Sequence, residues 1–127
     1  MNILIIEDDP TDLKLFTAVL NSHNHEVVGM ETPELMWEAI EARRPDAILL
    51  DLMLPGIDGL EVARRLKADS TTMDIPIIAT SAAAEKYTRK AASDAGCDLY
   101  IFKPVDTREL NAVMIMADSM NRPKQAS

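Results

Sequence analysis

The segment Ala47-Ile48-Leu49-Leu50-Asp51 constrains the fold more than any other stretch of the chain. Four apolar residues in an unbroken run, with no polar alternation, call for burial on both faces. That is the pattern of an internal strand in a parallel sheet. The run stops on a carboxylate, and Pro55-Gly56 then breaks regular structure. A parallel neighbour can only be reached through a crossover of a dozen or more residues, and the sequence supplies that spacing repeatedly.

Similar short apolar runs occupy residues 3–6, 75–80 and 99–102, and a weaker one spans 25–30 around Val27 and Val28. Helical periodicity fills the gaps. Pro10-Thr11 opens a helix with Leu13, Phe16 and Leu20 on one face. Thr32-Pro33-Glu34 reads as a capped helix start that turns Leu35, Met36, Ala39 and Ile40 inward as far as about Arg44. Asp58 with Glu61 resembles a capping box ahead of Val62, Ala63 and Leu66. An alanine-rich helix is predicted from just after Ser81 to Gly96, and Asp106 with Glu109 starts a last helix reaching about Met120. Five strand–helix units with short connections imply an α/β fold, a three-layer α/β/α sandwich around a five-stranded parallel sheet with right-handed crossovers.

The 127 residues, 47% of them hydrophobic, suffice for one core. Thirteen basic against 21 acidic residues leave a net charge of −8 without a basic stripe, so direct nucleic-acid binding is not expected. The single cysteine, Cys97, rules out an internal disulfide framework and fits a reducing, cytoplasmic setting. Neither a signal peptide nor a membrane span is recognisable. Residues 1–121 are expected to form the domain and 122–127 a short polar tail.

Parallel strands share one carboxyl-terminal rim, where open α/β sheets place their chemistry. After the first strand come Glu7, Asp8 and Asp9; after the third, Asp51; after the fourth, Ser81; after the fifth, Lys103. Several carboxylates gathered at one place repel each other unless a cation lies among them, and a small set of hard oxygen ligands suits Mg²⁺. A lysine and a hydroxyl beside them suit an incoming phosphoryl group. Carboxylates can attack phosphorus to give an aspartyl phosphate. Residue chemistry alone thus points to a Mg²⁺-dependent phosphoryl site with an aspartate as acceptor.

Glu7-Asp8, the segment Asp51-x-x-Leu54-Pro55-Gly56-x-Asp58-Gly59, Thr80-Ser81-Ala82 and Lys103-Pro104, in this order and spacing, resemble the receiver domain of two-component response regulators. The resemblance runs from Asn2 to about Met120. It implies a flavodoxin-like sheet of order 2-1-3-4-5 and a single-domain signalling switch. Asp51 would accept phosphate from a sensor histidine kinase or phosphotransfer protein. Asp8, Asp51 and the backbone carbonyl of Met53 would bind Mg²⁺ directly, and Glu7 through water. Ser81 would hydrogen-bond the phosphoryl group, Lys103 would pair with it, and Tyr100 would act as an aromatic switch turning inward with Ser81. The Lys103–Pro104 peptide is expected to be cis. Output would reach a downstream protein target, or a second copy of the chain in a homodimer, through the face of helix four, strand five and helix five.

Competing readings narrow these assignments. A Mg²⁺-dependent phosphatase of the aspartyl-phosphate type needs a second aspartate two residues after the nucleophile, where this chain has Met53. A flavin-type binder would meet repulsion between its phosphate and Glu7-Asp8-Asp9. A receiver fold used only as a phosphorylation-independent scaffold is the remaining alternative. Asp9 is assigned to capping the first helix, and His23 and His25 to a solvated loop at the opposite rim. Cys97 is expected to be a semi-buried small hydrophobe, and Trp37 partly buried packing. On the last helix, Leu110, Val113, Met114, Ile115, Met116 and Ala117, with Met120 beyond them, spread wider than one core stripe needs. That leaves either core packing or an exposed partner patch.

Overall fold

A computed structural model describes residues 1–121. Five parallel strands form one sheet: β1 (Asn2–Ile6), β2 (Glu26–Met30), β3 (Ala47–Asp51), β4 (Ile77–Ser81) and β5 (Leu99–Phe102). Their spatial order is β2-β1-β3-β4-β5. Five α-helices alternate with them: α1 (Pro10–Ser22), α2 (Met36–Ala42), α3 (Gly59–Ala68), α4 (Arg89–Asp94) and α5 (Thr107–Asn121). The predicted three-layer α/β/α sandwich and its strand order are those observed. The expected tail, residues 122–127, lies outside the described residues.

Side-chain alternation along the strands divides the core in two. Ile3 and Ile5, Leu49, Ile78 and Ile101 pack with Phe16 and Leu20 of α1 and with Leu110, Val113, Met114 and Ala117 of α5. Leu4 and Ile6, Ile48, Leu50, Ile77 and Ala79 point the other way, onto Met36 and Ile40 of α2 and Val62, Ala63 and Leu66 of α3. Every residue of β3 and β4 is buried, as the unbroken runs demand.

Register then fixes what meets at the carboxyl-terminal rim. Ile6 pairs with Leu50, Asp51 with Thr80, and Ser81 with Phe102. Immediately beyond β3, Met53–Leu54 and Ile57–Asp58 pair as a tiny antiparallel ribbon around Pro55-Gly56.

Several local expectations need correction. Thr32 makes no side-chain cap; Pro33–Leu35 form a 3₁₀ turn instead, α2 starts at Met36 and stops at Ala42, and Leu35 is exposed rather than inward. Asp58 caps α3 through the Leu60 amide (2.9 Å), while Glu61 turns to Arg64 and Arg65, so no reciprocal capping box forms. The alanine-rich segment does not run as one helix. Residues 82–88 make turns, in which the Ala83 carbonyl accepts from the amides of Lys86 and Tyr87. Tyr87 plunges into the core, and α4 restarts from the Thr88 side chain, which caps Ala91. Burial of one aromatic overrides alanine's helix propensity here, a preference worth only tenths of a kcal/mol per residue (~0.5). Trp37 is exposed rather than partly buried.

The bland assignments elsewhere hold. Asp9 caps α1 through the amides of Thr11 (2.9 Å) and Asp12 (3.4 Å). His25 lies at the opposite rim with Nδ1 3.0 Å from the Met1 amine. Cys97 is buried, and burial pushes its thiol up to about 12, so it is no thiolate nucleophile. On α5, Met114 is core, whereas Ile115, Met116 and Met120 are exposed.

Candidate functional site

The ends of β1, β3, β4 and β5 bring Glu7, Asp8, Asp51, Ser81 and Lys103 to one rim of the sheet. Glu7 and Asp51 are almost completely buried, at 1% and 3% exposure. One carboxylate oxygen from each of them and one from Asp8 lie within 4.8 Å of one another. Lys103 reaches into this group: its ammonium donates to Glu7, stands 3.2 Å from Asp51 Oδ2 and pairs with Asp12 Oδ2 at 3.1 Å. The peptide that joins Lys103 to Pro104 is cis.

Backbone amides complete the cradle. The Met53 amide donates to Asp51 Oδ1 (2.9 Å), and the Asp9 amide to Glu7 Oε2 (3.3 Å). These bonds exist because the chain turns sharply after each strand: at Asp9-Pro10 in one case, through the ribbon in the other. The ribbon is held by Gly59, whose amide donates to the Leu52 carbonyl (3.2 Å). Ser81 is fully buried, and its Oγ accepts from the Ala83 amide (2.9 Å) while keeping an O–H of its own to donate. Tyr100 is buried on the neighbouring strand with its hydroxyl donating to the Tyr87 carbonyl. Burial raises its phenol, against the opposing pull of the nearby Ser81 hydroxyl and Arg89.

Glu7 is buried beside a second carboxyl group. Burial pushes Glu7 up to about 8, the neighbouring Asp51 adds to the shift, and Lys103 opposes it. For Lys103 burial acts downwards, but Glu7, Asp51 and Asp12 outweigh it and hold the ammonium above its usual range. The sign for stability follows. Between pH 4.5 and about 8 the folded, metal-free protein binds a proton on Glu7 that the unfolded chain has released. Its stability therefore falls as pH rises through that window. Thermal unfolding in chelator should show a Tm decline of roughly several degrees from pH 5 to 8, largely absent in Glu7→Gln.

Spacing alone found every member of this group except Asp12. Its signal was available: Asp12 lies one helical turn beyond Asp8, on the first turn of α1, facing the same rim. The donor set is oxygen only, with two buried carboxylates and a third half-buried, which fits a hard divalent cation better than a softer metal.

The family model described as the response regulator receiver domain matches residues 3–115. The chain belongs to that family. Among curated relatives, this receiver is 41% identical over 110 residues to the phosphate regulon transcriptional regulatory protein PhoB of Pseudomonas aeruginosa, covering 87% of this chain but 48% of PhoB. The chain thus spans about half the length of that relative. It is 36% identical over 108 residues to the polar-differentiation response regulator DivK of Brucella anthropi, covering 82% of this chain and 85% of DivK. A solved structure, the receiver domain of the sensor histidine kinase PA1611 from Pseudomonas aeruginosa PAO1, superposes with a TM-score of 0.83 at 30% identity, covering 93% of this chain and 97% of that one. That structure has a magnesium ion coordinated in its active-site cleft. Among the described residues of this receiver, no helix is long and apolar enough to cross a membrane.

Proposed function

We propose that this receiver is a phosphorylation switch in which Asp51 accepts a phosphoryl group from a phosphohistidine of a sensor histidine kinase or phosphotransfer protein. One observation carries the reading: Asp51 is buried at a strand end with a lysine ammonium 3.2 Å away and two further carboxylates within 4.8 Å. A structural aspartate satisfied by a turn would not need that company.

Asp8, Asp51 and the Met53 carbonyl would hold Mg²⁺, with Glu7 acting through water. Bound there, the cation supplies positive charge against the phosphoryl oxygens during transfer. An Asp51 carboxylate oxygen attacks phosphorus, the P–N bond to the donor imidazole breaks, and its electron pair stays on that nitrogen. Lys103, already aimed at Asp51, pairs with the new phosphoryl oxygens. Ser81 donates its O–H to one of them. That shift loosens the contact between Ser81 and Tyr100 and biases the packing of α4, β5 and α5, a population shift between two arrangements. The exposed Ile115, Met116 and Met120 on α5, with Phe102 on β5, supply the apolar contact area for a downstream protein or a second copy.

Incubation with acetyl phosphate and Mg²⁺, followed by intact mass, tests the reading. One Mg²⁺-dependent phosphate adduct is expected, absent from Asp51→Asn. An equal adduct on that variant contradicts it.

Phosphate loss should be slow. The side chains two residues beyond Asp51 and Ser81 are Met53 and Ala83, and neither can orient an attacking water. Met53 is exposed and Ala83 half-buried beside Ser81, so both positions accept larger polar groups. Met53→Asn combined with Ala83→Glu should speed decay of the adduct by about tenfold or more. An unchanged lifetime would show that water positioning does not limit the reaction.

A further inference from the structure

A second surface of this receiver is built for binding, on the side away from the α4–β5–α5 face. A groove runs between α2 and the start of α3, closed at one end by the ribbon; Pro33, Met36, Trp37, Ile57 and Val62 form its apolar lining. Met36 and Val62 are buried at its floor, whereas Trp37 and Ile57 stand exposed on its walls at 37% and 39%. Trp37 is the chain's sole tryptophan, and an aromatic left more than a third in water beside an exposed isoleucine is the anchor composition of interfaces rather than of free surface.

Charge identifies the occupant. Glu34, Glu38 and Glu41 follow at intervals of four and three along the helical stretch 33–42, all exposed. That spacing places them on one side of it: Glu34 lines the groove, and Glu38 and Glu41 continue the same edge beyond the lining. Among the described residues none of the three is in an ion pair, whereas on the opposite wall Asp58 and Glu61 are offset by Arg64 and Arg65, Glu61 lying 3.4 Å from each arginine. The unbalanced wall is therefore acidic. We propose that this groove docks a basic amphipathic helical segment of a partner protein. Its apolar face packs on Trp37 and Ile57, and its Lys/Arg residues face Glu34, Glu38 and Glu41. This contact is separate from the proposed phosphorylation and is expected in the unmodified protein.

The test uses the full chain without phosphoryl donor. Its probe is a synthetic amphipathic peptide of lysine and leucine, leucines on one helical face, with a glutamate-for-lysine analogue as control. Binding should move Trp37 emission to shorter wavelength in a saturable way and shift the amide resonances of Gly56 and Ile57, with no response to the acidic analogue. Glu34→Lys combined with Glu38→Lys should weaken binding at least tenfold, as should Ile57→Asp. Asp74→Lys combined with Glu85→Lys, the same charge change at two exposed positions outside the groove, should alter it less than twofold. Equal weakening by that pair would reduce the effect to net charge and overturn the proposal. So would amide shifts confined to Ile115, Met116 and Met120. Self-association that buries Trp37 in sedimentation without peptide would give the groove to a second copy instead.

Discussion

Gly59→Ala should destabilise the protein by about 3 kcal/mol or more, a cost at the severe end for a single methyl group. Helix propensity argues the other way, because alanine is favoured over glycine by at most about 1 kcal/mol. Sterics decide the sign. A Cβ at Gly59 would stand 2.4 Å from Leu52 Cα, 2.8 Å from the Leu52 carbonyl oxygen and 2.9 Å from that of Asp51. All three atoms are backbone, so no side chain can rotate aside. Relief requires separating α3 from the end of β3, which moves the Asp51 carboxylate itself. Gly56, three residues earlier, is the control. Its φ of +72° favours glycine, but a Cβ there meets nothing within 4 Å. Gly56→Ala should therefore cost only about 1 kcal/mol, the left-handed penalty alone. Urea unfolding of both variants checks the contrast. Equal costs would mean that the close approach at Gly59 relaxes easily.

Lys103→Met should produce effects of opposite sign on phosphoryl transfer and on cation binding. The ammonium lies among Glu7, Asp12 and Asp51. Without it, the ammonium placed to pair with the phosphoryl oxygens beside Asp51 is lost, and transfer should fall roughly 10²–10³-fold. The same loss removes a positive charge that competes with Mg²⁺ for the same carboxylates, so Mg²⁺ affinity should rise by about tenfold. The metal-free variant should also be less stable, because Glu7 and Asp51 remain buried without their cation. Mg²⁺ should restore much of that stability. A lysine that only stapled the fold would lower stability without moving affinity and transfer in opposite directions. Calorimetric Mg²⁺ titration and adduct formation by intact mass read the two effects separately.

The sheet was legible in the sequence because strands buried on both faces are mostly apolar, with polar residues only at their carboxyl ends. The runs at 47–50 and 75–79 therefore announce Ala47–Asp51 and Ile77–Ser81. The site was legible for a related reason: each run ends on a residue that such a strand would otherwise avoid. Helix boundaries were harder, since the energies that set them are small and tertiary contacts override them. Thr32 offers a capping hydroxyl, yet Pro33–Leu35 close into a 3₁₀ turn without it. Alanines after Ser81 favour helix, yet burial of Tyr87 interrupts them. Asp12 was missed because its role depends on how far Lys103 reaches across the rim (3.1 Å), a distance no linear pattern contains.

The central claim is that Asp51, among several clustered carboxylates, forms the acyl phosphate. Borohydride reduction of the protein after incubation with a phosphohistidine donor and Mg²⁺ tests it most directly. Hydride converts an aspartyl phosphate to homoserine and leaves free carboxylates untouched, so peptide mass spectrometry reports the acceptor by position. The account predicts homoserine at residue 51 alone, dependent on Mg²⁺ and diminished by Lys103→Met. Homoserine at Asp8 or Asp9, or intact aspartate at 51 after incubation with the donor, would contradict it.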